Sequence, residues 1–343
     1  VMLKSISAER LKNLYAARGA TLYGLKKLSS ASDVNQSTVT SSGNQQAVGA
    51  SGSITAGGLP TGATAPMSGA SGDVDGASEG TGEKDRYDDI KWVPGRNPYS
   101  VQIGDIDCDV YLYPENGKIN INSINDQNRE ILVNLLTKRG IDIFDADVVT
   151  DSILDWIDTD DLTHLNGAED SYYGSLPDPY MSKDGPFFSI EEMTLVRGIT
   201  PEVFENIKDY ITVYGGNKIS INVNFASKEI LSSLPGMSED IVDELSLYIE
   251  ENGSIKDSEG LREVFWNLGM IGDSFEDVKS YLTLDESDFV TISAVSRGLN
   301  NKIQKNSGKP NLSGVHSRYS EHDYKLIVGK AEEGYKIFAA YPE

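Results

Sequence analysis

Only one of the 343 residues, Cys108, is a cysteine. That excludes an intramolecular disulfide framework and a cysteine-rich zinc site. Histidine is nearly as scarce, with His164, His316 and His322 leaving little for imidazole chemistry. No run approaches the roughly 18 apolar residues of a membrane helix, and no signal peptide is visible. Positive charge is in deficit, with 30 Lys and Arg against 53 Asp and Glu, a net charge of −23. A surface of that sign repels phosphate, which argues against a nucleic-acid binder driven by phosphate attraction. Hydrophobic residues make up 38% of the chain and charged ones 24%. Such a chain can bury a core, so wholesale disorder is excluded, and its length suits two domains or one large one.

The chain divides by composition. Residues 1–28 space their apolar side chains as an amphipathic helix does, with six bases against the single acid Glu9. Residues 29–85 are Ser, Gly, Ala and Thr with no aromatic residue. A stretch of that kind buries too little apolar surface to offset its backbone entropy, which predicts a flexible insertion. It contains Gly76-Ala-Ser78-Glu-Gly80. This matches the nucleophile-elbow string but lacks the flanking strand and helix that motif requires, so the match is compositional.

Residues 86–122 alternate as strands, at 99–103 and 107–113. The turn signal Pro114-Glu-Asn-Gly117 predicts a hairpin into Lys118–Asn122. Residues 123–285 read mostly as helices. Ser189 to Glu192 has the capping-box pattern, Thr200-Pro201-Glu202 is a cap followed by proline, and Ser238 caps a helix over 241–249. Residues 286–343 return to strand. Strands, a helical block and strands again predict an α+β fold with an inserted helical domain.

An internal repeat is visible. Lys118-Ile-Asn-Ile-Asn and Lys218-Ile-Ser-Ile-Asn each precede an apolar helix, and asparagine suits the intervening turns. The second unit continues through Leu234-Pro-Gly236, which resembles a helix-hairpin-helix. Acids open the following helix at Glu239 and Asp240. They would repel a docked phosphate, so the unit reads as packing rather than nucleic-acid recognition.

Thirteen acids lie between residues 145 and 192, against Lys183 as the one base. Asp158-Thr-Asp160-Asp161 through Glu169-Asp170 places many hard oxygens on one loop, which suits calcium better than magnesium. The loop is not read as an EF-hand, because Thr163 replaces glycine at its sixth position and no glutamate is counted at its twelfth, an expectation the site's geometry returns to. The same acids equally suit helix caps and a solvated face. Zinc is disfavoured by one histidine without cysteine. A carboxylate hydrolase is disfavoured by the few apolar residues that could raise an acid's pKa.

Several strings occur together in order: Asp155-Trp156-Ile-Asp158-Thr-Asp160, Gly167-Ala-Glu169-Asp170-Ser-Tyr172-Tyr173, Pro179-Tyr180, and Ser189-Ile-Glu191-Glu192 through Gly198. With Ile221-Asn222-Val-Asn224-Phe-Ala226 and Leu234-Pro-Gly236, they resemble the GspK family of type II secretion minor pseudopilins. The resemblance covers the N-terminal helix and about residues 86–343. It implies a pilin-like fold, in which an N-terminal helix packs on an antiparallel sheet and a large helical domain is inserted. It also implies a non-enzymatic role at the tip of a periplasmic pseudopilus anchored in the inner membrane. The expected partners are GspI-like and GspJ-like pseudopilins, and the expected metal is calcium. Carried over by position, the metal ligands are Asp158, Asp160, Glu169 and Asp170, with Asp161 as a further candidate. Asp155 is expected as a cap or supporting residue. Residues 1–28 correspond to the periplasmic half of the pilin helix. The alternative is a type IV pilus-like adhesion or DNA-uptake component.

Overall fold

The computed structural model describes residues 2–40, 92–297 and 323–342. Helix α1 (Met2–Thr40) extends beyond residue 28, into the start of the segment expected to be flexible. Most of that segment, and His316 and His322, lie outside the described residues.

A five-stranded antiparallel sheet runs in the order β1 (Tyr99–Ile103), β2 (Ile106–Pro114), β7 (Phe289–Arg297), β8 (Asp323–Lys330) and β9 (Tyr335–Pro342). Alternation puts Cys108, Val110, Leu112, Val290, Ile292, Ala294, Leu326 and Val328 on one face, all buried. Helix α1 covers that face with small residues, Ala16, Ala17, Ala20, Thr21 and Gly24. The approach is close: a Cβ on Gly24 would lie 3.2 Å from both Ile292 and Val110. Trp92 closes the end of this core, stacked on Tyr99 with ring centroids 4.2 Å apart.

The hairpin expected at 114–117 is not formed. β2 pairs instead with β7, so that Pro114 faces Val290 across 175 residues of inserted chain. Residues 115–117 form a 3-10 turn, and the inserted domain starts there rather than at 123. The reason is the buried side chain of Glu115. It accepts hydrogen bonds from Thr212 (2.5 Å), Thr291 (2.5 Å) and Lys118 (2.8 Å), joining three distant segments at the crossover.

The sequence repeat is a structural one. β3 (Ile119–Asn120) pairs parallel with β4 (Ile211–Thr212), closing a first unit that contains α2 (Arg129–Lys138), α3 (Ile143–Ile157), α4 (Asp170–Tyr173) and α5 (Pro201–Ile207). β5 (Ile221–Asn222) pairs parallel with β6 (Leu282–Thr283). This closes a second unit of α6 (Lys228–Ser233), α7 (Glu239–Asn252), α8 (Ser258–Asn267) and α9 (Asp273–Lys279). Equivalent asparagines staple both units. Asn122 Oδ1 accepts from Phe187 N–H while its amide donates to Phe187 C=O, and Asn224 does the same with Ile255. Both units share one continuous core.

The caps at Thr200 and Ser238 form as expected, accepting from the backbone N–H of Val203 and Ile241. The capping box at Ser189 is displaced by one residue. Ser189 accepts from Glu191 N–H, and Glu192 reaches back to Phe188 N–H, opening a 3-10 rather than an α-helix.

Candidate metal centre

The acidic loop, residues 158–169, connects the end of α3 to the start of α4. Helical spacing stacks Asp147, Asp151 and Asp155 along one face of α3. The first two are neutralised by Arg129, which donates to Asp147 (3.1 Å) and to Asp151. Asp151 also accepts from Asn166, through backbone and amide N–H at 3.1 Å each, and so holds the loop to the helix. Arg197 fastens the other side by donating to Gly167 C=O (2.8 Å).

Asp155 is fully buried. Its Oδ1 accepts from His164 N–H (3.0 Å) and faces His164 Nδ1, while its Oδ2 is buried without a hydrogen-bond partner. Only glycine fits beside it, because a Cβ on Gly167 would fall 1.9 Å from Oδ2. Glu169 is also buried. Its Oε2 accepts from Ser182 Oγ (3.2 Å), and its Oε1 again has no partner. Asp158, at the end of α3, brings a carboxylate oxygen within 4.8 Å of ligand atoms on Asp155 and His164.

Like charge is crowded here. Burial, and then the charge of Asp155, push the Glu169 carboxyl up to about 7, with Asp158 and Asp184 adding to the effect. Burial also raises the Asp158 carboxyl. Burial lowers the pKa of His164, but its hydrogen bonds to Asp155 and Asp126 outweigh that, and the imidazole holds its proton more tightly than usual. Each buried acceptor left without a donor costs about 1–3 kcal/mol or more.

The structure brings Asp158 together with His164 and with Asp155, which the sequence suggested only as a support, while buried Glu169 feels both acids' charges but stands outside that group. Asp170 sits one residue on, with Oδ1 occupied by Ser182 N–H and Oγ at 2.8 Å each. Asp160 is exposed and accepts from Leu162 N–H (2.8 Å), and Asp161 is exposed on the same arc. One signal was available in the spacing. Counted from Asp158, Glu169 is the twelfth residue, where an EF-hand loop has its bidentate glutamate. Trp156 points away into the core, edge-on to Tyr173 at 5.2 Å.

Residues 117–216 match the family model described as type II secretion system protein K. That match coincides with the unit closed by β3 and β4, and it contains the whole loop. The chain is 35% identical over 94 residues to a putative type II secretion system protein K of Escherichia coli K12, 27% of this chain and 29% of that protein. It is 32% identical over 117 residues to protein K of Pectobacterium carotovorum, 31% of this chain and 36% of that protein. It is 31% identical over 96 residues to protein K of Aeromonas hydrophila, 28% of this chain and 29% of that protein. The matched region thus spans about a third of each curated relative. The fold also resembles a chain of the GspK-GspI-GspJ complex from enterotoxigenic Escherichia coli, with a TM-score of 0.52 at 14% identity. The likeness covers 72% of this chain and 84% of that one. The matched segment therefore sits within an α+β, pilin-like scaffold: a long helix on an antiparallel sheet, interrupted by helical units.

Proposed function

We propose that this protein is a non-enzymatic minor pseudopilin of type II secretion. In this reading it caps the pseudopilus tip in the periplasm, beside GspI-like and GspJ-like partners, and is anchored at the inner membrane. The observation that carries the reading is the inverted character of α1. Its small residues face the sheet, while Leu11, Tyr15 and Leu22 stand exposed along the opposite side. A helix that turns its large apolar side chains outward is built to pack against another helix. The inserted units project from the sheet as bulk that would obstruct a neighbour in a shaft, which suits a terminal position. The DNA-uptake alternative finds carboxylates, Glu239 and Asp240, in the first turn of α7, where a phosphate would need a positive end.

Calcium is the metal this reading assigns to the acidic loop. The donors are hard oxygens beside one imidazole, that of His164, and two of the oxygens, on Asp155 and Glu169, are buried without a hydrogen-bond partner among the described residues. With Asp158 they form the inner set, while Asp160, Asp161 and Asp170 complete the acidic surround. Calcium accepts six to eight oxygens in flexible geometry, so backbone carbonyls and water would supply the remainder. Its role is structural. It offsets the crowded charge and fixes the loop between α3 and α4.

The test is size-exclusion of this chain mixed with the periplasmic parts of GspI-like and GspJ-like pseudopilins, with calcium and with chelator. Co-elution is expected, and its loss in a Tyr15→Glu, Leu22→Glu double variant that melts as wild type does. Separate elution of the unmodified chain in both conditions would overturn the assignment.

A further inference from the structure

The sheet face opposite α1 meets the two helical units around a cavity of about 270 Å³. All three parts of the fold contribute walls to it. Its lining includes Arg96, Lys118, Lys208, Lys228 and Lys325, against two acids, Glu191 and Asp209. Not all of these cations are equally available to a ligand. Lys118, Lys208 and Lys228 pair with Glu115, Glu205 and Asp243, none of which lines the cavity. Among the described residues Arg96 has no carboxylate within ion-pair distance. Its Nε and Nη2 both donate to one carbonyl, that of Asn224, at 2.9 and 2.6 Å. Burial lowers its pKa, with Glu250 opposing. A guanidinium held by a single neutral acceptor retains donors for a planar anion.

Two further features define the ligand. Tyr113, Phe204, Phe225 and Tyr341 give the cavity aromatic walls, which an inorganic anion would leave unused. Ser293, fully buried on β7, also lines it, and its hydroxyl has no hydrogen-bond partner among the described residues. Cationic groups, an unsatisfied hydroxyl and aromatic surface at one place suit a ligand bearing carboxylates and an apolar side chain together.

We propose that this cavity binds an acidic peptide segment, a carboxylate engaging Arg96 while an adjacent aromatic side chain lies between Phe204 and Phe225. The proposal does not rest on the secretion assignment. Recognition here needs only the local cations, so it is short-ranged and sensitive to salt.

The experiment is fluorescence anisotropy with the full chain and a fluorescein-labelled hexapeptide, Glu-Phe-Asp-Glu-Phe-Asp. Two competitors are used: the same peptide with Gln and Asn in place of its acids, and inorganic phosphate. Saturable binding is expected, weakened at least about tenfold when the acids are replaced by amides. Arg96→Gln is expected to weaken it similarly. Lys325→Glu, at a half-buried position on the interior strand β8 and judged alongside its melting curve, guards against a folding defect in the first variant. Equal binding of the acidic and amide peptides would overturn the proposal. So would unchanged affinity in both variants, or no anisotropy change at millimolar protein. Displacement of the peptide by phosphate at comparable affinity would also refute it, since it would reduce the site to an anion hole without side-chain recognition.

Discussion

Glu169 makes the protein's pH dependence a test of the metal centre. Without a cation its carboxyl is pushed up to about 7 from an ordinary 4.5. The folded state then holds this proton more tightly than the unfolded chain does. The resulting stabilisation is fully present below pH 4.5 and is lost as pH rises to about 7. The full shift corresponds to about 3 kcal/mol at 1.36 kcal/mol per unit, and solvent at the loop's exposed arc screens it to about 1–2 kcal/mol. That is a melting shift on the order of 5 °C for a domain this size. If calcium occupies the loop as proposed, it supplies the missing positive charge, and the loaded protein should not show this loss. Thermal melts at pH 5 and pH 8, with calcium and after metal stripping, give the readout. The calcium-dependent gain should be larger at pH 8 by about that amount. Glu169→Gln keeps the shape and removes the charge. Stripped of metal at pH 8, it should melt above the stripped wild type, and calcium should raise its melting point less. An equal calcium increment at both pH values, or a stripped wild type as stable as stripped Glu169→Gln at pH 8, would refute the electrostatic account of the loop.

Other expectations follow from single contacts. Gly167→Ala places a methyl group on the Asp155 carboxylate, and should cost about 2–4 kcal/mol in urea unfolding and abolish calcium uptake by calorimetry. Asn224→Ala strands the N–H and C=O of buried Ile255, and should cost about 2–4 kcal/mol. Asn122→Ala should do the same at Phe187, and the two losses should add in the double variant because the staples share no partner. Cys108 is fully buried and its thiol is pushed up to about 11, chiefly by burial. It should resist a thiol reagent at pH 8 until the protein is unfolded, and labelling of the native protein within minutes would contradict its place beneath α1.

Much of the fold was legible because local rules and tertiary context agree. The strands at 99–103 and 106–114 alternate because one face meets α1. The caps at Thr200 and Ser238 need only their own helix ends. The repeated Lys-Ile-x-Ile-Asn pattern marked two units, although nothing local showed that the asparagines reaching Phe187 and Ile255 are Asn122 and, two residues beyond the second pattern's own asparagine, Asn224. Pro114–Gly117 misled because a turn signal carries no information about which strand arrives next. The buried Glu115 answers to Thr212 and Thr291, which lie far along the chain.

The candidate centre divides in the same way. Sequence alone determined that hard oxygens crowd one loop between two helices, since acid density and spacing are written in the chain. The tertiary structure decided which oxygens matter. Burial against Gly167 and Ser182 withdraws water from Asp155 and Glu169, while Asp160 and Asp161, no less acidic, remain in solvent. A carboxylate calls for a cation when it has lost its water and found no donor, and only packing across the fold sets that condition.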